Sequence, residues 1–328
     1  MDAAGSRWQV RPVLAADQAA MRQLFLEAFG HEMTAAQYAW KYGSGPRQGR
    51  GDAYGVWEGD RLVAHYGGFP RRLCRGRTRI DAVQIGDVMV APNRRGLLTR
   101  RGPFFHAATS YFSRQLAPAG GSAFAYGFPS KRHLDLGRRL GLYAGADRIS
   151  AVSFRLDGAE PMPWRYATSR ISALDPACAH AAALLAAKLA EDLAPLILVE
   201  RSPSYLEFRY AGWGDYALHA VRHRLTRKIL GFFVIRPTAP ERWELLDLLA
   251  RRRDLPLLLR AARSAAAAMG GTVLELWASA APAAFLAELG GEVTTTDVEV
   301  AVSIWPDAAA AEETRGRFWL LSGDTDFR

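Results

Sequence analysis

The chain has 328 residues, too many for one small domain and comfortable for two; 49% are hydrophobic and 23% charged, a balance that excludes wholesale disorder. No apolar run approaches the roughly 18 residues of a membrane-crossing helix, and the opening MDAAGSRWQV lacks the apolar stretch of a secretory signal. The net charge is +9 and the cations are almost all Arg, which suits two-pronged grip on phosphate or carboxylate, although a coding bias toward Arg and Ala accounts for the overall excess. Cys74 and Cys178 lie far apart without metal-ligand spacing, which predicts free thiols, a reducing cytoplasmic setting and no bound metal.

In chain order, residues 7–14 read as a strand and 17–29 as a helix, with Ala20, Met21, Leu24, Phe25 and Ala28 at helical spacing. A second helix covers 34–42, with Thr34 as its N-cap. A glycine-rich loop leads to two strands joined by the turn at Gly59-Asp60, then to a third strand at about 69–75. The turn at Arg75-Gly76 opens a long fourth strand that Pro92-Asn93 ends. A Gly- and Arg-rich loop follows, and Pro103 is suited to the first position of the next helix. SAFAYGF reads as a strand, SKRHLDLGRRLG as a helix stopped by Gly141, and LYAGADRISAVSFRL as a closing strand. Antiparallel strands followed by a βαβα run indicate an α/β fold with a twisted mixed sheet covered by helices on both faces.

The second half repeats this order. An Ala-rich helix over 176–190 takes Asp175 as its N-cap; strands at TRKILGFFVI and ERWELLDLLA precede helix, strand, helix and a last strand at TTTDVEVAVSIW. Short words match too: Trp40-Lys41-Tyr42 with Phe208-Arg209-Tyr210, Asp87 with Asp247, and Leu140-Gly141 with Leu289-Gly290. These correspondences predict an internal duplication, with domains at 1–158 and 159–328.

The informative stretch is Asp87-Val88-Met89-Val90-Ala91-Pro92-Asn93-Arg94-Arg95-Gly96. A buried strand ends at a proline, an Arg-Gly pair follows, and a helix opens beyond it. That arrangement sets backbone N–H groups and a helix N-terminus at the mouth of a sheet, an anion site suited to a pyrophosphate. His65, in an apolar strand, reads as a satisfied core histidine, and Arg251-Arg252-Arg253 as a solvated turn rather than a nucleic-acid site.

This stretch resembles the GNAT superfamily of acyl-CoA-dependent N-acyltransferases, in which the fourth strand and third helix carry V-x-P-x-x-R-G-x-G-x-G/A. Val90, Pro92, Arg95 and Gly96 fall at matching positions. Tyr126 to Ser130, with Leu140 to Tyr143, is similar to the family's fifth strand and fourth helix. The front-end word Tyr38-Ala39-Trp40-Lys41-Tyr42-Gly43, followed by Pro46, resembles the tandem subfamily whose second GNAT unit is degenerate.

The resemblance implies an acyl-CoA donor, acetyl or longer, whose pantetheine arm pairs with backbone at Val88, Met89 and Val90. Its phosphates would lie near Arg95, Gly96, Leu98, Thr99, Arg100, Arg101 and Ser130. Where the family places glycine and a small residue, this chain has Leu98 and Arg100, leaving less room for close backbone approach; Arg94, Arg95, Arg100 and Arg101 offer a side-chain grip instead. Asp87 is the candidate base, its pKa raised by desolvation, with a structural aspartate as the alternative. The family's acidic tyrosine would lie at 137, which is Gly137; Tyr143, Tyr126 and His133 are the substitutes. The expected acceptor is a primary amine of a small molecule or peptide. An acidic acyl carrier protein as donor, with a peptide acceptor or a fatty-acylated product, is one alternative; a GNAT scaffold that only binds is another.

Overall fold

The computed structural model describes residues 8–43, 51–95, 99–116, 121–157, 161–210 and 215–325. The elements in chain order are β1 (Gln9–Pro12), α1 (Gln18–Phe29), α2 (Ala35–Tyr42), β2 (Asp52–Glu58), β3 (Arg61–Arg75), β4 (Thr78–Val90), α3 (Pro103–Gln115), β5 (Ala125–Gly127), α4 (Lys131–Leu140) and β6 (Tyr143–Arg155). There follow β7 (Tyr166–Ile171), α5 (Pro176–Asp192), β8 (Ile197–Val199), α6 (Pro203–Tyr210), β9 (Ala217–His223), β10 (Ile229–Ala239) and β11 (Arg242–Ala250). The chain then forms α7 (Leu255–Ala268), β12 (Val273–Ser279), α8 (Ala280–Glu288) and β13 (Glu292–Ser303). The fold is mixed α/β, a twisted mixed sheet flanked by helices.

Local signals place most boundaries. Thr34 caps α2 by accepting from the Gln37 N–H at 3.1 Å, and the Gln37 side chain returns to the Thr34 N–H, a reciprocal capping box. Asp175 caps α5 through Cys178 N at 2.7 Å. Gly30 and Gly141 end α1 and α4 at φ 77° and 73°, a conformation that costs glycine nothing.

One strand differs from expectation. The separate strands read at 61–69 and 69–75 are a single 15-residue β3. Gly67 and Gly68 serve close packing there rather than a break. A Cβ at Gly68 would overlap the Tyr111 hydroxyl, and one at Gly67 would come within 2.8 Å of the Tyr42 hydroxyl. The short strands β7, β8 and β9 carry too little periodic pattern to be read from sequence; tertiary pairing forms them.

The chain forms two compact units. The first comprises Met1–Arg71, Asp81–Ala146 and Glu299–Glu313. Its strands run β1-β2-β3-β4-β5, then the end of β13; β4 pairs β5 in parallel and β13 pairs β5 antiparallel. Its core gathers Met21 and Leu24 of α1, Tyr66 of β3, Val83 of β4, and Tyr111 and Phe112 of α3. Truncating such a fully buried aromatic costs about 3–5 kcal/mol.

The second unit comprises Arg72–Ile80, Asp147–Val298 and Thr314–Arg328. Its strands run β7-β9-β10-β11-β12, then β6, with β11 parallel to β12 and β12 antiparallel to β6. The sequence of pairings is therefore the same in both units. In each, the strand beside the fifth one comes from the other half of the chain: β13 beside β5, β6 beside β12.

Candidate functional site

The site lies where β4 and β5 part. The two strands pair at Val83↔Ala125, Gln84↔Tyr126 and Ile85↔Gly127, and β5 ends there. Phe128-Pro129 follows, and Pro129 has no N–H to extend the ladder. β4 runs on to Val90 without a β5 partner, so the backbone of Val88, Met89 and Val90 borders an opening. A strand edge left unpaired beside an opening presents backbone N–H and C=O groups that need hydrogen-bond partners.

A cavity of about 260 Å³ fills this opening. β4 contributes Val88, Met89 and Val90; the end of α1 contributes Ala28 and Phe29; and a 3-10 turn after β4 contributes Arg94 and Arg95. The first turn of α3 adds Pro103 and Phe104, and α4 adds Arg132, His133, Leu136 and Arg139, with Ser130 at its N-cap. The wall is apolar along β4 and α3 and cationic along α4 and the turn.

Seven of the sequence-predicted residues meet here: Val88, Met89, Val90, Arg94, Arg95, Ser130 and His133. Gly96 and Leu98 lie outside the described residues. Thr99, Arg100 and Arg101 are exposed but are not on the cavity wall. Thr99 Oγ1 accepts from Arg101 N at 3.2 Å, and the Arg100 guanidinium lies 5.9 Å from the centre of the Phe105 ring. Arg95 has internal work: its Nε donates to Val90 O at 3.1 Å and its Nη2 to Ala28 O at 3.0 Å, tying the end of α1 to the end of β4. Arg94 is ion-paired with Glu58.

Asp87 and Tyr143 are not on the cavity wall. Asp87 adopts φ 49° inside β4, an αL conformation that aspartate tolerates better than most residues. Its side chain is 6% exposed. The carboxylate accepts from Lys41 Nζ at 2.8 and 3.1 Å and from the Tyr42 hydroxyl at 2.7 Å. The aspartate thus holds a cation and a phenol rather than loop amides. The Asp87 carbonyl accepts from His65 Nδ1 at 2.7 Å, which fixes the proton on that nitrogen. His65 is buried, as its apolar strand implied, and burial lowers its pKa.

His133 sits edge-on to Phe104 and Tyr143, at ring-centre separations of 5.0 and 5.9 Å. Desolvation among these rings pushes its pKa down to about 4, so the imidazole facing the cavity is neutral near pH 7. The Tyr143 hydroxyl donates to His133 O at 3.1 Å, and burial holds its proton far more firmly than an exposed phenol would. A Cβ at Gly137 would overlap the Tyr143 ring. The phenol therefore occupies the space that a side chain at 137 would take.

Phe29, Phe104, Arg132 and Arg139 were not singled out by sequence reasoning. The signal was present for α4: Leu134, Gly137 and Leu140 are its buried face, which leaves 132, 136 and 139 as a second stripe at i, i+4 and i+7.

The fold is similar to a GCN5-related N-acetyltransferase from Kribbella flavida, at 18% identity and TM-score 0.65 over 90% of this chain and 71% of that one. It is similar to an N-myristoyltransferase from Saccharomyces cerevisiae with bound myristoyl-CoA, at 12% identity and TM-score 0.59 over 92% and 80%. It is also similar to a tandem GNAT protein from the clavulanic acid biosynthesis pathway, at 14% identity and TM-score 0.55 over 90% and 98%. No curated protein matches the chain in sequence. Residues 9–142 match the family model described as an acetyltransferase (GNAT) domain; these residues contain the parted strands and the cavity between them, and the chain carries a GNAT acetyltransferase domain in its first half.

Proposed function

We propose that the chain is an N-acyltransferase that takes an acyl group from a CoA thioester seated between β4 and β5 and transfers it to a primary amine. The single observation that carries this reading is the loss of β4–β5 pairing beyond Ile85 and Gly127, with a cavity against Val88–Val90. The unpaired β4 edge supplies N–H donors for a pantetheine arm and for the oxyanion that develops on the thioester carbonyl. The amine nitrogen bonds to that carbonyl carbon, the C–S bond breaks, the amine gives up one proton and the thiolate gains one.

His133 is our proton acceptor. It is neutral, it lines the cavity, and none of the described residues hydrogen-bonds its ring nitrogens. A second reading keeps Asp87 as the base. It rests on the left-handed backbone that Asp87 holds next to Val88, and it requires the substrate ammonium to take the place of Lys41 on the carboxylate. Tyr143 is off the cavity wall and its hydroxyl is held on His133 O, so we assign it to positioning His133 rather than to donating the proton.

We assign donor binding to the first domain, 1–158, and read 159–328 as a degenerate GNAT-like domain. What supports this is the stretch after β11, where Arg251-Arg252-Arg253-Asp254 has no glycine and Arg251 is paired with Asp192 at 3.3 Å. The test is a turnover and thermal-shift panel on the purified chain with acetyl-CoA, longer acyl-CoA and acyl carrier protein. CoA thioesters should raise the melting temperature and release free thiol in the presence of a primary amine. A carrier protein that alone gave turnover would replace CoA as donor; binding without thiol release would leave a non-catalytic scaffold.

A further inference from the structure

We propose that the phosphates of the donor are held by two side chains of α4, Arg132 and Arg139, and not by the arginines of the loop after β4. The inference rests on the donor seat proposed above and adds to it how the donor is read. The loop arginines are the obvious candidates by sequence, yet the structure commits them elsewhere. Arg94 is neutralised by Glu58, and Arg95 spends two of its nitrogens on the carbonyls of Val90 and Ala28. Arg100 and Arg101 are off the cavity wall.

α4 carries four cations, and they divide by face. Lys131 and Arg138 pair with Asp135 at 3.8 Å, and Arg138 also meets Glu299 at 2.7 Å. Arg132 and Arg139 are the two that line the cavity, and neither has an acidic partner among the described residues. The one hydrogen bond of Arg139 is a long one, Nε to Asp135 O at 3.4 Å, which leaves both terminal nitrogens available. Arg132 and Arg139 are also exposed, so they remain charged and hydrated until an anion arrives. Unpaired cations converging on an open cavity are what an anionic ligand requires.

The spacing says more. Seven residues of α-helix separate the two by about 10 Å along the axis. Two cations at that separation suit a donor with two separate anionic groups, as in CoA with its diphosphate and its ribose 3′-phosphate. A phosphopantetheine arm on a carrier protein presents a single phosphodiester. The geometry therefore points to free CoA thioesters as the donor class.

Binding of CoA, 3′-dephospho-CoA and pantetheine to the full chain tests this, using the parent, Arg132→Gln, Arg139→Gln and the paired control Lys131→Gln. The parent should bind CoA more tightly than dephospho-CoA by tenfold or more. Each α4 arginine variant should lose about tenfold to a hundredfold for CoA. One of the two variants should bind CoA and dephospho-CoA alike, pantetheine binding should not move, and Lys131→Gln should match the parent. Unchanged CoA affinity in both arginine variants overturns the proposal, as does a parent that does not distinguish CoA from dephospho-CoA. A parent that binds none of the three defeats the donor seat itself, a different failure. All three substituted side chains are exposed, so the variants should keep the parent's melting temperature, which the same samples report.

Discussion

The hydroxyl of Tyr42 lies 2.7 Å from the carboxylate of Asp87, and the relationship recurs in the second half of the chain between Tyr210 and Asp247, at 3.0 Å. Both tyrosines are the last residue of an eight-residue helix, α2 and α6, and both aspartates lie on the strand that pairs in parallel with its neighbour. The cation differs: Lys41 serves Asp87, while Arg201 serves Asp247 and also Asp324. Arg209, the counterpart of Lys41, donates instead to the carbonyls of Gly323 and Thr325. In each half of the chain the phenol–carboxylate tie fastens a helix to a strand. The recurrence supports duplication more specifically than element order alone.

Removing either phenol should therefore cost stability. Tyr42→Phe and Tyr210→Phe are expected to lower stability by about 1 kcal/mol each. Asp247→Asn should cost more, about 2–3 kcal/mol, because it weakens the pairing of Arg201, whose side chain is only 4% exposed. Thermal unfolding of the three variants checks this; melting temperatures equal to the parent's for both phenylalanine variants would show that the tie carries no weight.

Asp87→Asn and His133→Gln separate the two bases. If His133 accepts the proton, His133→Gln should reduce turnover by roughly 10²–10⁴-fold with little change in donor affinity. Asp87→Asn would then lower the melting temperature, through its loss of charge beside Lys41, and change turnover by less than tenfold. The reverse pattern, with Asp87→Asn silent in melting and severe in turnover, would transfer the role to Asp87.

Stability should depend on pH through His133. An unfolded histidine titrates near 6.5 and His133 in the folded chain near 4. Between these values the unfolded chain holds the extra proton, so stability is lost as pH falls from 6.5 toward 4, by at most about 3 kcal/mol. His65 adds in the same direction, because burial lowers its pKa as well. His133→Gln should flatten this part of the curve without abolishing it, as denaturant titrations at pH 4.5 and 7 would report. Identical slopes for parent and variant would contradict the desolvated, neutral His133.

Gly137→Ala should be destabilising by about 1–3 kcal/mol, since the new methyl overlaps the Tyr143 ring. It should also displace His133, which packs on that ring, and so raise the donor KM or lower turnover. Tyr143→Leu in the same chain should recover melting temperature by opening the space. Failure of the double variant to recover it would mean that the methyl meets something other than the ring.

Arg95→Ala should lower the melting temperature by loosening the end of α1 from the end of β4, a loss of about 1–2 kcal/mol. Arg132→Gln should leave melting untouched while weakening donor binding. If Arg95→Ala instead weakened donor binding with no effect on melting, Arg95 would be a direct phosphate ligand.

Much of this protein was legible in its sequence. Thr34, Asp175 and Gly141 bound their helices because caps and αL positions are local chemistry. The run from Asp87 to Arg95 placed the end of β4 and the approach to α3, and the repeated words at 40–42 and 208–210 fall on the two helices whose last tyrosines make the Tyr–Asp ties. What the sequence could not supply was partnership. Asp87 reads equally well as a base or a strut until Lys41 and Tyr42 are seen on its carboxylate, 46 and 45 residues away in sequence. Arg95 reads as a phosphate ligand until Val90 and Ala28 claim it, while Arg132 and Arg139 read as ordinary surface until the cavity is seen beside them. That β13 lies beside β5 and β6 beside β12 is likewise invisible along the chain. Caps and periodicity are fixed by residues within a few positions of one another. Which cation meets which anion is decided by elements packed from far apart, and only the tertiary structure contains that.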